Sequence, residues 1–205
     1  MRPMAWFGAG AAVVAAVYSP FMRRRYLTWG ATAEEVAAVL PGDDLLSDAD
    51  MLSTRAITIA AAPSSVWPWL VQMGSGRGGA YTYDWIENLF GLDMHSANEI
   101  LPQFQDLAAG DVLPLGSGGP AMRVAICDPP EALVFRSEDG RWVWSFSLSE
   151  QSGGTRLVSR NRISEGDPTI ARRLVDRLIM EPGSLVMERR MLIGIRDRAE
   201  AAVPA

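Results

Sequence analysis

The chain contains no lysine: all 19 of its basic residues are arginine. Without a side-chain amine there is no Schiff-base nucleophile and no P-loop lysine to reach a nucleotide's phosphates. Cysteine and histidine are almost as scarce, with only Cys127 and His95. A single thiol excludes an internal disulfide and a thiolate zinc cluster, and it fits a reducing compartment. A single imidazole excludes paired-histidine zinc motifs of the HExxH kind. No GxSxG nucleophile elbow occurs. At a net charge of −5 there is no basic excess to favour nucleic acid. No cofactor and no metal are therefore expected, and nothing in the pattern sets an oligomeric state.

What is present falls into three parts. Residues Met4 to Met22 carry no charge over 19 positions, and Arg23, Arg24 and Arg25 come directly after them. An apolar run of about 18 residues or more is long enough to span a bilayer as a helix. The arginines on its C-terminal side outweigh Arg2, so the positive-inside rule keeps the rest of the chain on the cytoplasmic side. Residues 1–25 are accordingly expected to form a single-pass anchor in the cell membrane. Residues 26–50 read as a linker with one short helix, opened by a capping box of Thr32 and Glu35 and stopped by Pro41-Gly42. Residues 51–205 read as the main folded domain.

Within that domain the pattern alternates from Leu52, with Arg55, Ile57 and Ile59 on one face and Thr54, Ala56 and Thr58 on the other. This predicts a strand broken at Pro63, followed by a helix over Val66–Met73 with Pro68 tolerated in its first turn. A glycine cluster, Gly74 to Gly79, reads as a hinge, and a second helix is expected over Tyr83–Phe90, ending at Gly91. Strands are then expected near 111–115, 120–127, 131–137, 141–149 and 155–163, separated by turn-forming Pro, Asp and Gly clusters. The last 33 residues or so show helical spacing, with Pro182-Gly183 as an interruption. One strand, two helices, a strand meander and a long helix make an α+β domain whose sheet must curl round the final helix.

The segment Trp67 to Glu99 concentrates three of the seven tryptophans, two of the four tyrosines and the single histidine. Its start, Pro-x-x-Val-Trp-x-Trp-Leu, the run YDWIENLFGLDMHSA and the closing EPGSLVMERRMLIGIRDRAE resemble the START-related (SRPBCC) superfamily, in particular its bacterial polyketide cyclase/dehydrase-like group. The resemblance covers about residues 50–202. It implies a helix-grip fold, a curved antiparallel sheet wrapped round the C-terminal helix; the apolar helix expected at the N terminus lies outside the resemblance. It also implies a pocket between sheet and helix for lipids, isoprenoids, sterols or polyketides, in proteins of which some are enzymes and many only carry or sense a ligand. The leading expectation is thus a binding domain for a small hydrophobic ligand. A cyclase or dehydratase acting on a polyketide-like substrate is the alternative.

Trp67, Trp69, Gln72, Tyr81, Tyr83 and Trp85 are expected at the cavity mouth, and Trp142, Trp144, Met187 and Met191 on its walls. Aromatics and methionine suit such a lining because they bury large apolar areas and adapt to irregular shapes. For the enzyme reading, His95 is the candidate base and Asp84 the candidate acid, since an imidazole titrates near neutrality and a carboxylate within reach would orient it. Gly74-Ser-Gly-Arg-Gly-Gly79 satisfies GxGxxG formally, but a helix rather than a strand precedes it, which removes the phosphate-binding context. Glu188, Arg189 and Arg190 read as a solvated helix face.

Overall fold

Both faces of the first long strand are covered, and that fact organises the molecule. The computed structural model describes residues 19–116 and 121–202. Among them, β1 (Met51–Ile59), β2 (Val112–Pro114), β3 (Ala121–Asp128), β4 (Ala132–Ser137), β5 (Trp142–Gln151) and β6 (Gly154–Ile163) form one antiparallel sheet. Its order is β1-β6-β5-β4-β3-β2, so the first strand closes the edge beside the last. β1 and β6 are in register from Met51 opposite Ile163 to Ile59 opposite Thr155. This register places Ile57 and Ile59 of β1 and Leu157 of β6 toward the core.

The helices are α1 (Pro20–Leu27), α2 (Ala33–Ala37), α3 (Pro63–Val71), α4 (Asp84–Leu89), α5 (Ile170–Val175) and α6 (Glu181–Ala201). Pro63 does not end a strand and leave a gap before the helix; it occupies the first helical turn, where its missing N–H costs nothing. Pro68 consequently lies inside α3 rather than in its first turn. Between α5 and α6 the chain stays helical through one π-helical turn, Asp176–Met180. The expected interruption at Pro182 is thus a widened turn placed just before the proline, which cannot donate to the ladder and would crowd the carbonyl four residues back.

α6 lies along the concave face of the sheet with Glu188, Met191, Leu192, Ile195 and Ala199 buried, the spacing of one helical stripe. It meets Met73, Phe146 and Leu157 in a single apolar core. This is the helix-grip architecture of an α+β domain. Gly194 allows the close approach of α6 to the loop after α3: a Cβ there would lie 2.6 Å from the Tyr81 carbonyl oxygen.

The convex face is covered by residues 26–50, the stretch expected as a linker. Three arginines of β6, alternating and so on one face, hold it. The Arg156 guanidinium grips Glu35 at 2.7 and 2.8 Å and the Gly30 carbonyl at 2.7 Å. All five N–H groups of Arg160 are placed, on Thr54 Oγ1, the carbonyls of Glu35, Val36 and Ala38, and Asp43 Oδ2 at 2.6 Å. Arg162 bonds the carbonyls of Leu46 and Ser47. The capping box of Thr32 and Glu35 is present, so Glu35 serves a helix start and an ion pair together.

The membrane expectation is overturned. Among the described residues no helix is long and apolar enough to cross a membrane. Residues 1–18, which hold most of the apolar run, lie outside the described residues. At the other end of that run, Ser19 caps α1, a helix of 8 residues. The arginines expected as a membrane flank belong to that helix: Arg23 grips Glu181 at 2.8 and 2.6 Å, while Tyr26 and Leu27 are buried. The single-pass anchor, the cell-membrane location and the membrane partner are withdrawn on these findings.

Removing the fork of Arg160 takes the 2.6 Å partner from Asp43, which keeps the Leu40 N–H and a longer contact to Arg162, and leaves three carbonyls without theirs. Arg160→Ala is expected to cost about 3–5 kcal/mol in urea unfolding, and Arg160→Lys to recover only part of it. A loss of under about 0.5 kcal/mol for Arg160→Ala, the size of an ordinary surface change, would show that these contacts do not hold the strap.

Candidate functional site

The concave face carries charge where its alternation promises only hydrocarbon. Arg55 shares its face of β1 with Ile57 and Ile59 and is fully buried. Its Nε donates to the Tyr26 carbonyl at 3.0 Å, one Nη to Ser184 Oγ at 2.9 Å, and the other to Glu188 of α6. Glu188 also accepts from Ser159 Oγ at 2.7 Å and from Asn161 Nδ2 at 3.2 Å, both on β6. Those two side chains in turn accept the indole N–H groups of Trp144, at 3.0 Å, and Trp142, at 2.8 Å. Burial pushes the Glu188 carboxyl upward in pKa, while the Arg55 charge and the Ser159 hydroxyl pull it down. Glu188 is therefore no part of a solvated face: it is the point where α6 is fastened to the sheet.

The indoles in front of this network are stacked, with centroids 5.9 Å apart and planes at 17°. Trp144 also touches Phe146 at 4.9 Å and Phe135 at 6.4 Å between centroids. Beside Trp144 and Phe135 an open pocket of about 50 Å³ is walled by Met73, Gly74, Ala80, Met94, Leu113, Pro114, Leu115 and Met122. Among the described residues no ionisable side chain lines it. Larger clefts of about 520 and 630 Å³ lie at either side of α5, and charged groups rim both, among them Arg23, Arg177 and Glu181 in one and Asp139, Arg141 and Arg172 in the other.

The expected site residues separate into groups. Trp67, Trp69, Tyr81 and Met191 are packed into the core. The Tyr81 hydroxyl donates to the Trp69 carbonyl at 2.9 Å, and the two rings meet edge to face. Gln72 is buried, accepting from Leu101 N at 2.9 Å and donating to the Glu99 carbonyl at 3.1 Å, so it pins a loop. Tyr83 and Trp85 face solvent, Trp85 with 67% of its surface exposed. Met187 is half-buried. Of the ten residues named from the sequence for ligand contact, Trp144 alone lines the apolar pocket, with Trp142 stacked on it.

His95 and Asp84 are not brought together. His95 is exposed, its Nε2 3.1 Å from Asp93 Oδ1. Asp84 accepts from the Ser96 backbone N–H at 2.8 Å and from the Ser96 hydroxyl at 2.5 Å, which fastens the loop after α4. The glycine segment is likewise tied rather than free. Gly74 and Gly79 exchange backbone bonds of 2.9 and 3.1 Å, and Arg77 reaches the Val71 and Phe104 carbonyls while lying over the Phe104 ring. Among the described residues no group of histidine, cysteine and carboxylate side chains is placed to hold a metal ion.

Solved structures of similar shape include the Aha1 dimer from Colwellia psychrerythraea, at 14% identity and a TM-score of 0.46, covering 75% of this chain and 99% of that one. A protein from Mesorhizobium loti is 14% identical, with a TM-score of 0.48 over 75% of this chain and all of its own. A Polyketide_cyc-like protein from Corynebacterium glutamicum is 16% identical, with a TM-score of 0.38 over 71% of this chain and 88% of that one. No family model and no curated protein matches the chain. Identities this low transfer neither a ligand nor a reaction.

Two outcomes check this site. Glu188→Leu strands the Arg55 guanidinium and is expected to cost about 3–5 kcal/mol, whereas Arg55→Met with Glu188→Leu returns close to the parent stability. Chemical denaturation of both singles and the double measures the coupling; additive losses would mean that the two groups act separately. His95→Ala is expected to change stability by less than about 0.5 kcal/mol, as for other exposed positions without a special contact.

Proposed function

We propose that the chain binds a small apolar molecule in the pocket beside Trp144, as a carrier or sensor. The observation that carries this reading is an apolar recess, open to the surface, on the concave side of a sheet gripped round α6. Soluble proteins line such recesses with aromatics, methionine and aliphatics when they hold apolar ligands. Phe135, Trp144, Met73, Met94 and Met122 supply that lining here. Its present volume of about 50 Å³ is a third of the roughly 150 Å³ that accommodates benzene in a closed engineered cavity. A ligand thus enters by a slender end, or the three flexible methionine side chains swing aside. Cyclase or dehydratase chemistry draws no support from this geometry, because among the described residues no ionisable side chain lines the recess and His95 and Asp84 are occupied elsewhere.

Native mass spectrometry of gently purified protein, followed by solvent extraction, is expected to show an apolar adduct. A thermal-shift screen is expected to find apolar compounds that raise the melting temperature, since binding to the folded state alone stabilises it. An adduct-free spectrum together with a flat screen of lipids, isoprenoids and polyketide-like rings would remove this reading.

A further inference from the structure

We infer that this pocket selects by charge: it takes an uncharged hydrocarbon group and refuses a carboxylate, sulfonate or ammonium group of the same shape. The inference rests on the binding reading above and adds the chemical class of the ligand's buried part.

Three observations carry it. First, the walls present methyl, methylene, thioether and aromatic surface and no ionisable side chain. Second, the indole N–H groups of Trp144, on the wall, and of Trp142, stacked on it, are engaged with Ser159 and Asn161. Third, the charges behind the indoles cancel one another. Glu188 takes Arg55, Ser159 and Asn161, and each nitrogen of Arg55 already has an acceptor in Glu188, Ser184 or Tyr26. A charged ligand group entering here would lose its water, and among the described residues no ionisable side chain lines the wall to replace it. An ion moved from water to apolar surroundings without compensation carries a penalty far above that of a neutral group. The same arrangement explains why a buried ion pair can stand next to an apolar pocket without recruiting ions into it: both Glu188 oxygens and each Arg55 nitrogen are engaged before a ligand arrives.

The test uses the full-length chain with carbon-13 methyl-labelled methionine and three probes that share a phenyl ring: toluene, benzoate and benzylammonium. Nitrobenzene and ethylbenzene are the neutral molecules matching the two ions in shape and are expected to bind as toluene does. Toluene is expected to shift the methyl signals of Met73, Met94 and Met122 in a saturable way, with benzoate and benzylammonium at least tenfold weaker at the same three signals. Ala80→Phe and, as a second filler from the other wall, Leu115→Phe are expected to abolish the toluene shifts while leaving the thermal unfolding transition in place. If benzoate or benzylammonium matches toluene, the charge selection is wrong and the binding site stands. If no probe moves these methyls, or if both folded filler variants still respond like the parent, the pocket is not the site and the function proposed above falls with it.

Discussion

The ion pair between Arg55 and Glu188 joins the first strand of the sheet to the last helix, and the grip depends on it. Both groups are buried, so neither can fall back on water if the other is withdrawn. Hydrophobic burial is non-directional and largely indifferent to which apolar residues meet. A charge pair with fixed hydrogen-bond geometry is not indifferent. It sets where α6 stops, and Ser159, Asn161 and Ser184 complete its valences. The indoles of Trp142 and Trp144 are oriented by the same network, which makes the pocket wall a consequence of how the helix is fastened.

The convex face repeats the device with other partners. Arg156, Arg160 and Arg162 project from β6 into the segment 26–50 and are met chiefly by backbone carbonyls. A planar guanidinium can serve several carbonyls at once, which an ammonium on a flexible stem does less well. In a chain with arginine as its only basic side chain, this is how the sheet acquires a cover without a second apolar helix. Gly30 fits here for the same reason of closeness: at φ 74° its backbone runs so near β1 that a Cβ would lie 2.0 Å from the Ala56 carbonyl oxygen.

Much of the architecture is legible in the residue pattern. The spans expected for the six strands lie close to those observed, turn residues separate them, and the stripe through Met191 and Ile195 announces the closing helix. The site is far less legible. Aromatic residues suggest cavity walls, yet Trp67, Trp69 and Tyr81 pack into the core and Trp85 faces water. An aromatic ring stabilises a core and a pocket by the same apolar burial, so residue type does not distinguish the two. Two signals do point to the network. Arg55 sits in phase with Ile57 and Ile59, and Glu188 lies one helical turn before Met191 and Leu192, so each places a charge on an apolar face. A lone charge there implies a partner of opposite sign somewhere on the facing element.

The sequence by itself determined the period of each element, the sheet-plus-helix class and the classes of chemistry that a chain without lysine and with one histidine and one cysteine cannot perform. These depend on local spacing and on composition, which need no knowledge of neighbours in space. Only the tertiary structure decided that Glu188 meets Arg55 across 133 residues, that the stretch 26–50 is strapped to the sheet and that the apolar recess lies beside Trp144. Pairings of that kind depend on sheet register and on where α6 comes to rest, and each is fixed by contacts between residues far apart in the chain.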